Sequence, residues 1–326
     1  MSTIENASLR QEHVTTLNSR FYDDHRPELT ELFSILGVKE QAGETLAGMV
    51  KVTQPWVKGD HFTPENREQI NAQTAEKARG LYTKMGLVES TPIPSGQYDQ
   101  VIVLGGMQRA NELRLGFLEQ ALRSGGINVA DDGQILLWGG QRPINNELEK
   151  PYVDQAQTDI AKGDHQAQDN PWLKAFWGGQ FEVSETELIR LAALHNLGEL
   201  SLKRLHLRLG SAAVPISHYE FSSGITLLNT PAVVRPHGES RHTTEACAQD
   251  WLEIKPPKLN AKVAFVTGNP YTRRTARVVK SVLDKNGRQD VRLVAGGPGA
   301  YPDTDKDYLF LGEIARNLYE DLKQAS

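Results

Sequence analysis

Gln100-Val101-Ile102-Val103-Leu104-Gly105-Gly106 is the stretch whose reading decides the fold. A short apolar run rich in β-branched residues suits a strand buried on both faces. The glycine pair ends it. A helical pattern follows, with Leu115, Leu118 and Leu122 on one face.

Working outward, the same unit recurs. Gln134-Ile135-Leu136-Leu137-Trp138 ends at Gly139-Gly140. Lys262-Val263-Ala264-Phe265-Val266 ends at Thr267-Gly268-Asn269, and the next helix carries Val278, Val279, Val282 and Leu283. Val291-Arg292-Leu293-Val294-Ala295 ends at Gly296-Gly297-Pro298-Gly299, before a last helix with Leu311, Ile314, Leu318 and Leu322 on one stripe. Apolar strands alternating with amphipathic helices predict an α/β fold, a mostly parallel sheet with helices on both faces.

The first 95 residues read as a helical accessory region. Leu9, Val14, Leu17 and Phe21 fall near helical spacing. Pro27 opens a helix carrying Leu29, Leu32, Phe33 and Leu36, and Gly37 closes it. Thr63-Pro64-Glu65 starts another that runs to about Met85. Ser90 to Gly96 has linker composition. The α/β domain is then expected over 96–326, with a polar, Trp-bearing insert at about 145–182 that reads as a cap. The segment 199–235 carries no clear pattern.

The formal net charge of -5 argues against nucleic-acid binding. The single cysteine, Cys247, can form neither an internal disulfide nor a thiolate metal site. Neither an apolar leader nor a membrane-spanning run is visible, so the expected location is the cytoplasm, without membrane insertion. His237 and His242 lack a third ligand at a recognised spacing, so no metal signature is read. There is no Walker A loop, dinucleotide fingerprint or serine-hydrolase elbow.

In open α/β sheets ligands lie beyond the carboxyl ends of the strands. Gly105, Gly106, Gly139 and Gly140 stand there, along with Thr267 and Asn269. They either bring backbone N–H groups to an anion or serve tight turns only. Tyr271, Arg273, Arg274 and Arg277 surround a helix start, where the dipole disfavours cations. They form either an anion clamp or a face neutralised by solvent or protein carboxylates. Glu185 opens one helix; Glu239, Ser240, Thr243 and Glu245 lead into another, where capping alone also explains the hydroxyls and Glu245.

Taken in order, VIVLGG at 101–106, LLWGG at 136–140, SETEL at 184–188, GESRHTTEACA at 238–248 and VTGNPYTRRTAR at 266–277 resemble the YdcF/SanA/ElyC family, a domain of unknown function. The chain looks closest to the cytoplasmic YdcF branch. His242 and Ala246 stand where that family usually has asparagine, and Tyr271 stands near a usual histidine. The resemblance implies a Rossmann-like fold, a polar pocket and, from the YdcF branch, S-adenosylmethionine as a ligand. Beside a reading in which the N-terminal helices and the Trp-bearing insert form a protein-docking module, two functions are expected for the pocket. In one, the protein is an enzyme on a phosphorylated or nucleotide-like substrate. Arginine and backbone N–H groups hold the anion, and Glu185, Glu239 or Glu245 acts as base or holds a cation such as Mg²⁺. In the other, it is a non-catalytic S-adenosylmethionine or nucleoside binder, with Tyr271 or Trp138 stacked on the base.

Overall fold

A computed structural model describes residues 19–57, 72–140, 149–151, 154, 185–198, 202–209, 215–221, 223–230, 233–234, 240–241, 243–300 and 307–325. The chain divides into two units. The first comprises Met1–Pro92, Gly268–Arg277 and Gly296–Ser326; the second comprises Ile93–Thr267 and Val278–Ala295.

In the first unit the N-terminal helices are α1 (Phe21–Asp24), α2 (Arg26–Ile35), α3 (Lys39–Ala42), α4 (Leu46–Val57) and α5 (Ala72–Lys84). Pro27 occupies the first turn of α2, where its missing N–H is harmless. The helix stops because Gly37 takes φ 71°, which lets Val38 N–H bond back to Phe33 O. Gly86 ends α5 in the same way, with Leu87 N–H on Tyr82 O.

The next elements in chain order are β1 (Gly96–Leu104), α6 (Gln108–Arg123), β2 (Ile127–Gly140), α7 (Glu185–Leu197), β3 (Leu202–Leu209), β4 (Pro215–Phe221) and β5 (Ile225–Thr230). After them come a ribbon of β6 (Val233–Val234) and β7 (Ser240–Arg241), then α8 (Thr244–Ile254), β8 (Lys262–Val266), α9 (Thr272–Lys285), β9 (Arg292–Gly296) and α10 (Asp307–Ala325).

The seven-stranded sheet has the order β3-β4-β5-β2-β1-β8-β9. β1 runs parallel to β2 and β8, and β2 runs parallel to β5. β4 is antiparallel to both β3 and β5. The fold is thus α/β with a mostly parallel, Rossmann-like sheet. The segment 199–235, which showed no clear sequence pattern, supplies its antiparallel edge. Val101, Val103, Leu137, Leu227, Ala264 and Val266 share one face and bury Leu115 and Leu118 of α6 with Ile189, Ala192 and Ala193 of α7. Side chains alternate along a strand, so Trp138 and Phe265 point the other way. There the Trp138 ring lies 5.3 Å from Phe265 and 5.7 Å from Trp251 of α8. Helices therefore cover both faces.

The first unit is not the linear N-terminal block expected from composition. The apolar stripe of α10 belongs to it: Phe310, Leu311, Ile314 and Leu318 are buried with Phe21, Leu29, Leu32, Phe33, Leu81 and Tyr82. Tyr82 stacks on Phe310 with ring centroids 4.8 Å apart. The residues read as a linker are bonded too, since Thr91 and Gly297 exchange N–H···O bonds of 3.0 and 2.8 Å. The cap expected over 145–182 lies outside the described residues, apart from positions 149–151 and 154. Residues 1–18 and the Thr63-Pro64-Glu65 helix start also lie outside them.

Candidate functional site

The chain leaves β1 through α6 for β2 on one side, and leaves β8 through α9 for β9 on the other. The strand order therefore reverses between β1 and β8, the topological position at which open α/β sheets bind ligands. Within the second unit, Gly105-Gly106 after β1 and Thr267 after β8 flank this position, and Gly139-Gly140 end the neighbouring β2.

At Gly105 and Gly139 the backbone of a neighbouring segment leaves no room for a side chain, and at Gly106 an arginine stands close by. Gly105 N–H donates to Trp138 O at 2.7 Å, and a Cβ on Gly105 would lie 2.3 Å from that oxygen and 3.0 Å from Glu185 Oε1. A Cβ on Gly106 would meet Arg114 Nη1 at 2.9 Å. That nitrogen donates to Leu104 O (2.6 Å) and Gly105 O (2.8 Å), closing off the end of β1 from within α6. A Cβ on Gly139 would lie 2.7 Å from Thr186 Cα. Thr186 Oγ1 is 3.2 Å from Gly140 O and 2.7 Å from Asn229 Oδ1. The glycines thus seat the start of α7, which brings buried Glu185 to the ends of the strands.

The start of α6 carries no side-chain cap. Its N-cap is Met107, which is 45% exposed and supplies no side-chain cap, and its first turn holds no acidic residue. The first N–H groups of the helix lack the side-chain oxygen that usually takes one of them. Asn111 Nδ2 donates to Gly106 O (2.9 Å), and Gln108 Nε2 donates to Glu112 Oε1 (2.7 Å). Both acceptors can only accept, which fixes the amide orientations. It leaves Asn111 Oδ1 and Gln108 Oε1 buried without a hydrogen-bond partner among the described residues.

The other expected site residues of the second unit are spread out. Thr267 is fully buried at the end of β8. Thr243 is the N-cap of α8, its hydroxyl accepting from Ala246 N at 3.1 Å. Glu245 is exposed on the first turn of that helix, 3.4 Å from Lys285 Nζ. Ser240 pairs with Val234 through its backbone. Glu239, with His237 and His242, lies outside the described residues. Trp138 is fully buried, so it offers no face for stacking on a base.

Cys247 is buried, and its thiol is pushed up by burial; Thr230 works against the shift, and Glu185 and Asp250 add to it. Asp250 is pushed up to about 6, first by burial and then by Glu253, with Thr230 opposing. This buried group gave no sequence signal beyond a lone Asp in an apolar helix.

In the first unit the arginines face carboxylates of the protein itself. Arg273 Nη2 donates to Asp24 Oδ2 (2.6 Å), Arg274 Nε to Glu313 Oε1 (2.7 Å) and Arg277 Nη1 to Asp321 Oδ1 (2.6 Å). Each arginine of this basic segment thus has a protein carboxylate as a partner. Glu313, Asn317 and Asp321 recur every fourth residue, a polar stripe on α10 that sequence reading overlooked and that periodicity could have revealed. Asn269 is a staple: its Nδ2 reaches Gly86 O (3.1 Å), Thr91 Oγ1 (3.2 Å) and Glu89 O. Tyr271 is half-buried, and its carbonyl accepts from Thr275 Oγ1 at 2.7 Å.

Among the described residues no group of three or more His, Cys, Asp or Glu side chains is placed to hold a metal. Among the same residues no helix is long and apolar enough to cross a membrane. Comparison with protein-family models, with curated proteins and with solved structures gave no match.

Proposed function

We propose that the protein is YdcF-like and binds an anionic, nucleotide-like small molecule at the carboxyl ends of the parallel strands of its second unit. The observation that carries this reading is the uncapped start of α6 directly after Gly105-Gly106, where the strand order reverses. Backbone N–H groups at a helix start that no side chain caps favour a phosphate or carboxylate. The bare amide oxygens of Gln108 and Asn111 favour a ligand that also carries N–H or O–H donors, as the base and ribose of a nucleotide do.

Of the three carboxylates proposed from the sequence, Glu185 has the best support for a chemical role, because it is buried beside Gly105. In an enzyme acting on a phosphorylated substrate it would serve as general base. In a binding protein it would accept from ribose hydroxyls. Calorimetry with AMP and S-adenosylmethionine, followed by product analysis after long incubation, separates the two. Turnover that Glu185→Gln abolishes indicates the enzyme; tight binding without product indicates the binder.

The site itself is tested by Met107→Asp. An aspartate at this N-cap supplies the missing cap and is expected to raise stability by about 0.5–2 kcal/mol. It also places a negative charge in the anion seat. The expected result is a higher Tm with loss of AMP binding. Unchanged affinity in this variant would overturn the reading.

A further inference from the structure

The first unit contains an arrangement that the strand-end site does not use. Arg273 and Arg277 each have a carboxylate of their own, Asp24 and Asp321. Glu313 is shared. Arg274 Nε bonds to its Oε1 at 2.7 Å, and Arg316 Nη1 lies 3.8 Å from its Oε2. The carboxylate is fully buried, whereas the Arg274 and Arg316 side chains are 22% and 34% exposed.

Three features distinguish this trio from an ordinary salt bridge. Two guanidiniums meet one buried carboxylate, so the trio taken alone carries one positive charge, with Glu320 as the nearby carboxylate that balances it. The Arg274 bond uses Nε, and the terminal nitrogens of that fork make no hydrogen bond among the described residues. The contact to Arg316 is longer than a hydrogen bond, and Glu313 Oε2 has no hydrogen-bond partner among the described residues. Arg316 is therefore held near Glu313 without being consumed by it. Thr272 begins the same helix as Arg274, and its buried hydroxyl has no hydrogen-bond partner among the described residues. Glu320 also lies near enough to favour the Arg274 charge, but it makes no ion pair among the described residues.

We propose that Arg274 and Arg316 form a seat for a small oxyanion, phosphate or carboxylate, with Glu313 holding the two guanidiniums together from behind. Charge-assisted forks are the strong, geometrically selective way to hold such groups. The seat lies within the first unit and does not rest on the reading of the second.

The test is calorimetry on the full chain, with inorganic phosphate in one series and acetate in the other. The wild type is expected to bind at least one of them, and the tighter of the two names the class. Arg316→Gln, at a half-exposed position, should keep its Tm in the absence of anion. It should weaken anion binding by about ten- to a hundredfold, the loss of one charge-assisted contact. Arg274→Gln alone strands the buried Glu313, so Arg274→Gln with Glu313→Gln serves as the second variant, and it should lose binding as well. The titrations are repeated in the Met107→Asp background, where an anion at the start of α6 no longer contributes and binding at Arg274 and Arg316 should remain. The proposal is overturned if the wild type binds neither anion, if Arg316→Gln binds as the wild type does, or if Met107→Asp abolishes the signal.

Discussion

Arg277 Nη1 donates to Asp321 Oδ1 across 2.6 Å, and the two side chains are 4% and 0% exposed. Tyr22 N–H donates to the other oxygen of Asp321 at 2.7 Å, so one carboxylate ties α1, α9 and α10 together within the first unit. Removing one member of such a pair leaves a buried charge with no partner. Asp321→Ala is expected to destabilise the protein by about 3–5 kcal/mol in urea unfolding. The double variant Arg277→Met with Asp321→Leu should cost clearly less, because no charge is stranded. Equal losses would show that packing, not charge, dominates there.

Two glycines should respond in opposite ways to alanine. At Gly139 a Cβ would press on the Thr186 backbone at 2.7 Å, so Gly139→Ala should lose about 1–3 kcal/mol through overpacking. Gly80, inside α5, has nothing within 4 Å of that point, so Gly80→Ala should gain about 0.5–1 kcal/mol. Thermal melts of the two variants check both signs.

His25 should make the first unit acid-sensitive. Its pKa is lowered from 6.5, first by burial and then by Arg273, whose Nη1 is 3.4 Å from His25 Nε2; Asp24, Glu28 and Asp321 oppose the shift. An imidazole harder to protonate when folded takes up its proton first in the unfolded chain. Its contribution is complete above about pH 6.5 and is lost as the pH falls below that value. Replacing His25 with Gln should flatten the fall in Tm between neutral and mildly acidic pH.

Asp250 should act with the opposite sign in the second unit. Its folded value of about 6 lies above the ordinary 3.8, so its contribution is largest below about pH 4 and declines as the pH rises through 6. Asp250→Asn removes the charge that burial disfavours. It should stabilise the protein at pH 7 by up to about 3 kcal/mol, and the gain should vanish below pH 4. A constant effect at both pH values would locate the difference in packing.

The strands that position the site were legible because their signals are local. β1, β8 and the end of β2 are apolar runs stopped by glycine or by Thr267-Gly268, and the stripe of Leu311, Ile314 and Leu318 follows helical spacing. β3 could also have been read, since Leu205, Leu207 and Leu209 alternate with His206 and Arg208 as an edge strand should. What stayed hidden depends on partners far along the chain. The need for glycine at 139 comes from Thr186, and the sense of Arg273 comes from Asp24, 249 residues earlier. No local pattern carries such information. Three cations at a helix start need compensation, but nothing near Arg273, Arg274 and Arg277 in the sequence tells that α1 and α10 supply the carboxylates.

The contact from Tyr22 to Asp321 spans 299 positions. Helices near the start of the chain share their core with the last one, so on the ribosome they emerge early and stay exposed until α10 has been made. The residues of the second unit are all synthesised by Ala295. Domains generally fold as units during synthesis. The later unit in space-filling order is therefore the one whose first half is oldest, and Phe21, Leu29 and Phe33 are the surface that a nascent-chain chaperone would meet.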